Sequence, residues 1–337
     1  MEKIRIAING FGRIGRVFLR QASKKTNMEV VAINDVAEVD ALGHLLKYDS
    51  VHRAFPGTVK VEGEDLVVNG QEIKVLHEPD PSKLPWREMK VDVVIESTGL
   101  FTHRKDAIRH VEEAGARKVI VSAPAQDETD SVKFVVLGVN DHIIDRDEKI
   151  ISNASCTTNN VAPLIKILDG FWGIEKGFIS TVHSYTKDQN LIDAPHRDFR
   201  RGRAAAYSIV PTTTGAAKAS TKIFPHLINN LGGGGIRVPV PDGSLTELTC
   251  TLRKPASVED INNAFKEASQ SSMKGILEYT EDPIVSVDVL GNTHSALFDS
   301  KLTAVLGDKN KLVKVVAWYD NEMGYSTRLV ELIEKFV

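Results

Sequence analysis

Two side chains beyond residue 150 have types that could perform nucleophilic chemistry together. Cys156 stands in the run SCTTNN at residues 155–160, after a short apolar strand and before an apolar segment. If that segment is helical, the positive end of its dipole would stabilise a thiolate on Cys156. Because proline removes a helical hydrogen bond, Pro163 predicts that the helix starts near Asn159 or bends at Pro163.

His183 is the candidate partner of Cys156, and it ends a predicted strand at Phe178–His183. A Cys–His pair lowers the thiol pKa and supplies a general base worth roughly 10²–10⁴ in rate. Each residue alone also fits a structural role, as a buried inert cysteine or as a histidine at a strand end. Their occurrence in the same part of the chain favours catalysis.

Hydroxyl and guanidinium side chains that suit phosphate binding also occur in this part of the chain, between residues 155 and 237. The candidates are Thr186, Arg201, Thr214, Gly215 and Arg237, with Ser155 and Thr157 beside Cys156. For most arginines between residues 197 and 203, a solvated basic loop or a subunit contact is the better interpretation. A nucleic-acid site has less support, because Phe199 is the only aromatic residue in that run.

A glycine-rich turn near the amino terminus predicts a dinucleotide site. Gly10, Gly12 and Gly15 form a G-x-G-x-x-G between a short apolar strand and an amphipathic segment. Such glycines allow a tight turn, close approach of a pyrophosphate and close packing of helix on strand. Asp35 follows a second strand, 20 residues after Gly15. Its carboxylate would bind a ribose 2′-hydroxyl and repel a 2′-phosphate, which favours NAD over NADP.

The amino-acid composition is that of an ordinary soluble globular protein. A length of 337 residues predicts about two domains. With 42 Lys and Arg against 45 Asp and Glu, the net charge of −3 gives no global attraction to nucleic acid or to an anionic membrane. Two cysteines exclude a disulfide scaffold, and no ligand spacing predicts a metal site. The sequence shows neither a membrane-spanning run nor a signal-peptide pattern, so we expect a cytoplasmic protein.

The pattern of apolar runs changes between the two halves of the chain. In the first half, short Val- and Ile-rich runs alternate with amphipathic segments, which predicts βαβ units around a mostly parallel sheet. Asn69-Gly70 predicts a hairpin turn in that half. From about Ile174, longer strands and segregated helices indicate an α+β domain. The elements predicted there include a strand at Val285–Leu290 and a helix that Ser257 caps.

Specific motifs are spread over nearly the whole chain. They are INGFGRIGR at 8–16, INDV at 33–36, STGLF at 97–101, VSAPA at 121–125, ASCTTN at 154–159, HSYTKDQ at 183–189, RRGRAAA at 200–206, PTTTGAAKA at 211–219, RVPVP at 237–241 and WYDNEMGYS at 318–326. Together they closely resemble the phosphorylating glyceraldehyde-3-phosphate dehydrogenases. The resemblance implies an α/β fold class, with a Rossmann NAD-binding domain plus an α+β catalytic domain that has a mixed, largely antiparallel sheet. It also implies a homotetramer.

The resemblance implies a role for each matching residue. Cys156 would be the nucleophile, and His183 the base that activates it. Thr186 and Arg237 would hold the substrate's C3 phosphate, whereas inorganic phosphate would lie on Ser155, Thr157, Thr214 and Gly215 with Arg201 nearby. The implied NAD contacts are Gly10, Gly12, Arg13, Ile14, Asp35, Ser122 and Asn321, of which Asn321 would orient the nicotinamide amide. Pro79 departs from the family pattern, which usually has an arginine beside the adenine.

The implied reaction is the NAD-dependent conversion of glyceraldehyde 3-phosphate and inorganic phosphate to 1,3-bisphosphoglycerate. Residues 1–155 with 321–337 would form the NAD-binding domain, and residues 156–320 the catalytic domain. The nearest alternative is an erythrose-4-phosphate dehydrogenase, which hydrolyses the thioester. More distant alternatives are a semialdehyde dehydrogenase and a non-catalytic NAD- or RNA-binding protein. The Cys–His pair and the net charge argue against a primary nucleic-acid role.

Overall fold

The computed structural model describes residues 3–126 and 132–337, and the chain divides into two compact units. The first unit comprises Met1–Val135, His142–Ala154 and Ser326–Val337, and the second comprises Val136–Asp141 and Ser155–Tyr325. The sequence predicts an NAD-binding domain at residues 1–155 with 321–337 and a catalytic domain at residues 156–320. These two functional assignments stay predictions.

The sheet of the first unit contains nine strands within the part of the chain that the structure describes. They are β1 (Ile4–Asn9), β2 (Met28–Asn34), β3 (Val59–Glu62), β4 (Asp65–Val68), β5 (Gln71–Leu76), β6 (Val93–Glu96), β7 (Lys118–Val121), β8 (Lys133–Phe134) and β9 (Ile150–Ser152). Their spatial order is β3-β4-β5-β2-β1-β6-β7-β9-β8. In this spatial order, every neighbouring pair in the run β5-β2-β1-β6-β7-β9-β8 is parallel. The pairs β3–β4 and β4–β5 are antiparallel.

The order of the parallel strands is that of a doubly wound sheet. Going outward from β1, the chain first adds β2 and β5 on one side and then β6, β7 and β9 on the other. The direction of winding reverses between β1 and β6, and dinucleotides bind at such a switch point, beyond the carboxyl ends of the strands. The helices of this unit are α1 (Arg13–Ala22), α2 (Val39–Lys47), α3 (Arg104–Ala107) and α4 (Arg109–Glu112).

Two local features of the first unit can be compared with the sequence. The hairpin prediction is confirmed, since Asn69 and Gly70 join β4 to β5 with φ angles of 52° and 82°. Positive φ at both positions is what a type I′ turn requires. In contrast, the apolar run Phe134–Leu137 has the short Val-rich pattern that predicts a strand, yet only Phe134 of this run lies in the sheet, as part of β8.

A buried lysine fixes the end of the carboxyl-terminal helix α8 (Met323–Phe336) within the first unit. The Lys118 ammonium donates hydrogen bonds to the backbone carbonyls of Phe336 and Arg146, each at 2.6 Å. It also lies 4.0 Å from the centre of the Phe336 ring. A cation at the last carbonyls of a helix is favoured by the helix dipole, so Lys118 stabilises the final turn of α8.

The second unit is built on a mixed sheet of eight strands, counted over the described residues. Its elements are α5 (Cys156–Trp172), β10 (Ile174–Ser184), β11 (Val210–Thr212), α6 (Ala216–Ile223), β12 (Leu231–Val238), β13 (Ser244–Ala256), α7 (Val258–Gln270), β14 (Leu277–Thr280), β15 (Ala296–Asp299), β16 (Ala304–Val305) and β17 (Asn310–Tyr319). Seven strands follow the order β11-β12-β10-β13-β17-β15-β14, and β16 pairs with β17. Only β10–β12 and β14–β15 are parallel pairs. The predicted fold class is thereby confirmed.

The segment Val285–Leu290 was predicted to be a strand, and this prediction is wrong. The structure has a 3₁₀ helix at Ser286–Val289 instead. The three valines alternate along the sequence as they would on one face of a strand. In the structure, however, only Val289 is buried, whereas Val285 and Val287 are exposed. The predicted cap of α7 is confirmed, since the Ser257 hydroxyl accepts a hydrogen bond from the Asp260 backbone at 3.0 Å.

No helix among residues 3–126 and 132–337 combines the length and the hydrophobicity that a bilayer span requires.

Candidate active site

Helix α5 places Cys156 at its first position. The Ser155 hydroxyl caps the helix by accepting a hydrogen bond from the Thr158 backbone N–H at 3.0 Å. The helix therefore starts at Cys156 and runs through Pro163 to Trp172, which excludes the first of the two predicted alternatives, a start near Asn159. A side-chain cap satisfies an N–H group that would otherwise lack a partner, so the earlier start is stable despite the proline.

His183, near the end of β10, faces the sulfur of Cys156. The Nε2 atom of His183 lies 3.4 Å from the Cys156 Sγ atom. On the other side of the ring, Nδ1 lies 2.8 Å from the carbonyl oxygen of Ser184. A carbonyl can only accept, so this contact favours a proton on Nδ1 and the lone pair on Nε2, although Arg237 Nη1, which only donates, lies against the same Nδ1 atom. The imidazole is thereby oriented as a base toward the thiol.

The surroundings of this pair keep both groups neutral. Burial raises the pKa of the Cys156 thiol, and the nearby Arg237 only partly opposes that rise. Burial and the positive charge of Arg237 lower the pKa of His183 to about 3. The expectation that the pair itself depresses the thiol pKa stays a prediction. Transfer of a proton from Sγ to Nε2 leaves the pair's net charge unchanged, so that joint step avoids burying a single charge.

Arg237, on β12, lies beside the pair and is itself largely shielded from water. Its Nη1 atom donates to the Ser184 carbonyl at 2.8 Å and lies against Nδ1 of His183. The parallel register of β10 and β12 places His183 opposite Arg237, which explains the contact. Burial and the charge of Arg201 lower the pKa of the Arg237 guanidinium. Two guanidinium groups close enough to repel each other form a site that an anion would stabilise.

Arg201 connects the long loop after β10 to the segment before α6. Its Nε atom donates to the Thr212 hydroxyl at 2.9 Å, and its guanidinium pairs with Asp188. Thr214 and Gly215 follow directly, and the Thr214 hydroxyl accepts from the Ala216 backbone N–H at 3.2 Å at the start of α6. Arg201, Thr214 and Gly215 thus lie close together around a helix N-terminus, which attracts anions.

The remaining predicted phosphate residues have distinct positions. Thr186 lies in the loop after β10, where its carbonyl accepts from the Gln189 backbone N–H at 2.9 Å. The Ser155 hydroxyl serves as the cap of α5 and also contacts the Thr158 hydroxyl at 2.7 Å. The Thr157 hydroxyl lies 2.9 Å from the Tyr319 hydroxyl and is buried. Ser155 and Thr157 therefore have protein partners for their hydroxyl groups.

Tyr319 is a residue of the site that the sequence did not single out. Its ring lies edge-on to the His183 ring, with centroids 5.9 Å apart. Its hydroxyl contacts those of Thr157 and Thr181 at 2.9 and 3.1 Å. Burial raises the pKa of this phenol, so it stays neutral beside the thiol. The only sequence signal for Tyr319 is its place two residues before Asn321.

Asn321 is held in the second unit by two serine hydroxyls. Its Oδ1 atom accepts from Ser184 at 2.8 Å and from Ser244 at 2.6 Å. All three residues are buried. The structure thus links Asn321 to the segment that carries His183.

The first unit contains a turn that fits a dinucleotide. A Cβ atom on Gly10 would lie 2.6 Å from the Thr98 backbone nitrogen, and one on Gly15 would lie 2.4 Å from the Gly10 carbonyl. A Cβ on Gly12 would meet no atom within 4 Å, so the N-terminus of α1 is open at that point. This arrangement leaves room for a pyrophosphate at the helix N-terminus, where α1 has no side-chain cap.

The other predicted NAD contacts lie around this turn. Asp35, after β2, accepts from the Phe11 and Ala37 backbone N–H groups at 2.8 and 3.0 Å. Ile14 is in the first turn of α1, and Ser122 follows β7. The Arg13 guanidinium is bound to Asp49 through both of its terminal nitrogens. The backbone of Arg13, rather than this paired side chain, is therefore the part of the residue that suits a phosphate.

Asp242, two residues before Ser244, is a buried acid whose titration can be tested. Burial and the neighbouring carboxyls of Asp320 and Glu322 raise the pKa of Asp242 to about 9. In the unfolded chain it ionises near pH 4, so the folded state holds an extra proton between about pH 4 and 9. The contribution of Asp242 to the free energy of unfolding is therefore full below about pH 4 and is lost as the pH rises to 9.

We expect Asp242→Asn to weaken this pH dependence. An asparagine keeps the acceptor that Asp242 offers to the Gly243 backbone N–H at 2.8 Å and cannot ionise. Thermal unfolding followed by circular dichroism at pH 6 and pH 9 measures the effect. The melting temperature of the variant should fall less between these pH values than that of the original protein. An equal fall in both proteins would contradict the raised pKa of Asp242.

Comparison with known proteins supports the fold and shows the family. The family model for the NAD-binding domain of glyceraldehyde 3-phosphate dehydrogenase matches residues 4–104, and the model for its C-terminal domain matches residues 155–321. Three curated glyceraldehyde-3-phosphate dehydrogenases illustrate the similarity. The Mycobacterium avium protein is 54% identical over 337 residues, covering 98% of this chain and 97% of its own length. The Priestia megaterium protein is 51% identical over 332 residues and Bacillus subtilis glyceraldehyde-3-phosphate dehydrogenase 1 is 49% identical over 330, both with the same coverage.

About half of the residues are identical to those of these relatives, and the alignments cover almost the full length of each chain. No large part of this sequence therefore lies outside the similarity. The matched ranges include the glycine-rich turn in one case and Cys156, His183 and Arg237 in the other. The chain therefore belongs to the glyceraldehyde-3-phosphate dehydrogenase family, with NAD as its cofactor.

Proposed function

We propose that the protein oxidises glyceraldehyde 3-phosphate with NAD and inorganic phosphate, giving 1,3-bisphosphoglycerate. The observation that carries this proposal is the thiol of Cys156 at the start of α5, 3.4 Å from a base nitrogen of His183. Arg237 beside the pair, and Arg201 close enough to Arg237 to repel it, favour a phosphorylated substrate together with a second phosphate. We further propose that residues 1–155 with 321–337 form the NAD-binding domain and residues 156–320 the catalytic domain.

The reaction begins with proton transfer within the Cys–His pair. His183 accepts the proton of Cys156 at Nε2 as the sulfur attacks the aldehyde carbon, and the new hydroxyl takes up that proton. The product is a thiohemiacetal on Cys156. The Cys156 backbone N–H, at the first turn of α5, has no partner within the helix and can donate to the developing oxyanion. Arg237 and Thr186 hold the substrate's phosphate in this proposal.

Oxidation leaves a thioester on Cys156. NAD, when bound, supplies the acceptor for a hydride from the former aldehyde carbon. His183 accepts the hydroxyl proton at Nε2 in the same step, and its neutral state makes it ready to do so. Inorganic phosphate near Arg201, Thr214 and Gly215 then attacks the thioester carbon. The sulfur leaves as the thiol, and one proton is released to solvent over the whole cycle.

Asp35 supports NAD rather than NADP as the cofactor. Two backbone N–H groups hold its carboxylate at the end of β2. A carboxylate fixed there accepts hydrogen bonds from a ribose 2′-hydroxyl and repels a 2′-phosphate. We also propose a cytoplasmic homotetramer, as is typical of the family.

The test is the initial rate of NADH formation from glyceraldehyde 3-phosphate, with and without inorganic phosphate. We expect a rate that requires phosphate, and a rate with NADP that is lower by about tenfold or more, since one unfavourable charge contact costs at least 1.4 kcal/mol. Erythrose 4-phosphate, as the alternative substrate, should react more slowly. A rate that is indifferent to phosphate would indicate hydrolysis of the thioester and would refute the phosphate roles of Arg201, Thr214 and Gly215.

A non-catalytic role in RNA binding is the alternative from a different class. It predicts no NADH formation and RNA binding that weakens steeply as the salt concentration rises. The proximity of Cys156 to His183 gives such a role no support.

A further inference from the structure

Ser184, the last residue of β10, forms hydrogen bonds through its carbonyl, its hydroxyl and its backbone N–H. Its carbonyl accepts from His183 Nδ1 and from Arg237 Nη1, each at 2.8 Å. Its hydroxyl donates to Asn321 Oδ1 at 2.8 Å, and its N–H donates to the Ser244 hydroxyl at 3.1 Å. The residue is fully buried. Ser184 therefore connects the base, the phosphate-binding arginine and Asn321.

The orientation of the Asn321 amide follows from its partners. Both Ser184 and Ser244 direct a hydroxyl at the same atom, Oδ1, at 2.8 and 2.6 Å. The Ser244 hydroxyl already accepts from the Ser184 backbone N–H, so its own proton needs an acceptor, and 2.6 Å is the length of an O–H···O bond. Both points identify this atom of Asn321 as the oxygen. The Nδ2 group then points away from both serines and presents its protons as donors. Without the two hydroxyls, nothing in this contact distinguishes one amide orientation from the flipped one.

We propose that Ser184 and Ser244 are positioning residues that fix the face of the nicotinamide from which hydride transfer occurs. This inference rests on the proposed function. The fixed Nδ2 donor of Asn321 would bind the carbonyl oxygen of the nicotinamide carboxamide, and a flipped amide would present an acceptor there instead. Because the carboxamide is off the axis of the ring, fixing its position selects one of the two ring faces. The serines act only through Asn321 and do not touch the reacting atoms.

Equilibrium binding separates this role from a general loss of structure. We expect the double variant Ser184→Ala/Ser244→Ala to bind NAD about tenfold more weakly, as measured by isothermal titration calorimetry, since two buried hydrogen bonds orient the contact. ADP-ribose lacks the nicotinamide, so its affinity should stay within about twofold of the original value. Equal weakening of both ligands, or no weakening of either, would overturn the proposal.

The face of hydride transfer is the second readout. Glyceraldehyde 3-phosphate deuterated at the aldehyde carbon places deuterium at C4 of the reduced nicotinamide, where nuclear magnetic resonance distinguishes the two positions. We expect one position in the original protein and a mixture of both in the double variant, with kcat lowered about tenfold. A single unchanged position in the double variant would overturn the role of the two serines.

Two further variants complete the design. Ser300→Ala removes another buried hydroxyl of the second unit, one that donates to the Thr280 carbonyl at 2.7 Å, and should change neither readout. Asn321→Ala should give the same mixed transfer, and adding Ser184→Ala to it should cause no further loss, because the serine acts through Asn321. Additive losses would contradict this dependence. If the original protein formed no NADH at all, the proposed function itself would fail, which is a different result from normal turnover with an unchanged face.

Discussion

Replacement of Cys156 by alanine is expected to lower NADH formation to the rate of the blank. The sulfur forms the only covalent bond between protein and substrate in the proposed reaction, so no other group can carry the thioester. Loss of a nucleophile of this kind lowers kcat by about 10⁴ or more. Initial rates with saturating glyceraldehyde 3-phosphate, NAD and phosphate measure the effect.

Cys250 supplies the matched control for this prediction. It is the other cysteine of the chain, lies in β13 and is 1% exposed, and burial raises its pKa to about 12. Cys250→Ala should therefore retain the original rate within about a factor of two. Iodoacetamide should inactivate the original protein with one label per chain, because His183 can accept the proton of the Cys156 thiol as the sulfur reacts and Cys250 has no such base. Cys156→Ala should take up no label while folded. Substantial turnover by Cys156→Ala would refute covalent catalysis at this residue.

The features that the sequence predicted correctly depend on neighbouring residues in the chain. The turn at Gly10, the helix α1 and the carboxylate of Asp35 belong to a single βαβ unit, in which spacing along the chain fixes position in space. The hairpin at Asn69-Gly70 and the cap at Ser257 are local in the same sense. The pairing of Cys156 with His183 is less local, and residue types together with motif resemblance, rather than periodicity, indicated it.

The features that the sequence missed depend on strand pairing across the second unit. Ser184 meets Ser244 across 60 residues and Asn321 across 137 residues. These contacts arise because β10, β13 and β17 lie side by side, with Ser244 opposite Tyr319 at the ends of β13 and β17. The periodic pattern within one strand does not indicate which other strands lie beside it in the sheet. Neither Tyr319 nor the Ser184–Ser244 pair could therefore be predicted as part of the site.

The start of α5 at Cys156, rather than near Asn159, shows how a cap can outweigh a proline. Pro163 lies well inside the helix and removes one backbone donor. The Ser155 cap, however, satisfies a donor at the first turn, and most of the helix is buried against β10, β13 and β17. Burial of apolar side chains such as Leu164 and Ile165 contributes more than one missing hydrogen bond costs. Tertiary packing of this kind cannot be predicted from the sequence of the helix alone.

Replacement of His183 by asparagine is expected to lower kcat by at least about 10² at pH 7, because it removes the general base. Asparagine is close in size and can still donate to the Ser184 carbonyl, which His183 Nδ1 contacts at 2.8 Å. It cannot accept the thiol proton at the position of Nε2. His226→Asn is the matched control, since His226 is exposed and pairs with Asp169 away from the thiol, and it should keep the original rate.

The pH dependence of the residual rate distinguishes loss of a base from loss of structure. In the original protein the pKa of His183 is lowered to about 3, so the base is already neutral from pH 6 to 9 and does not limit the rate there. In His183→Asn the thiol must lose its proton to solvent, and burial raises its pKa. Below that pKa the thiolate fraction grows about tenfold for each pH unit, so the residual rate of the variant should rise steeply from pH 7 to 9. A residual rate that stays parallel to the original profile would show that His183 acts by holding the structure rather than by moving the proton.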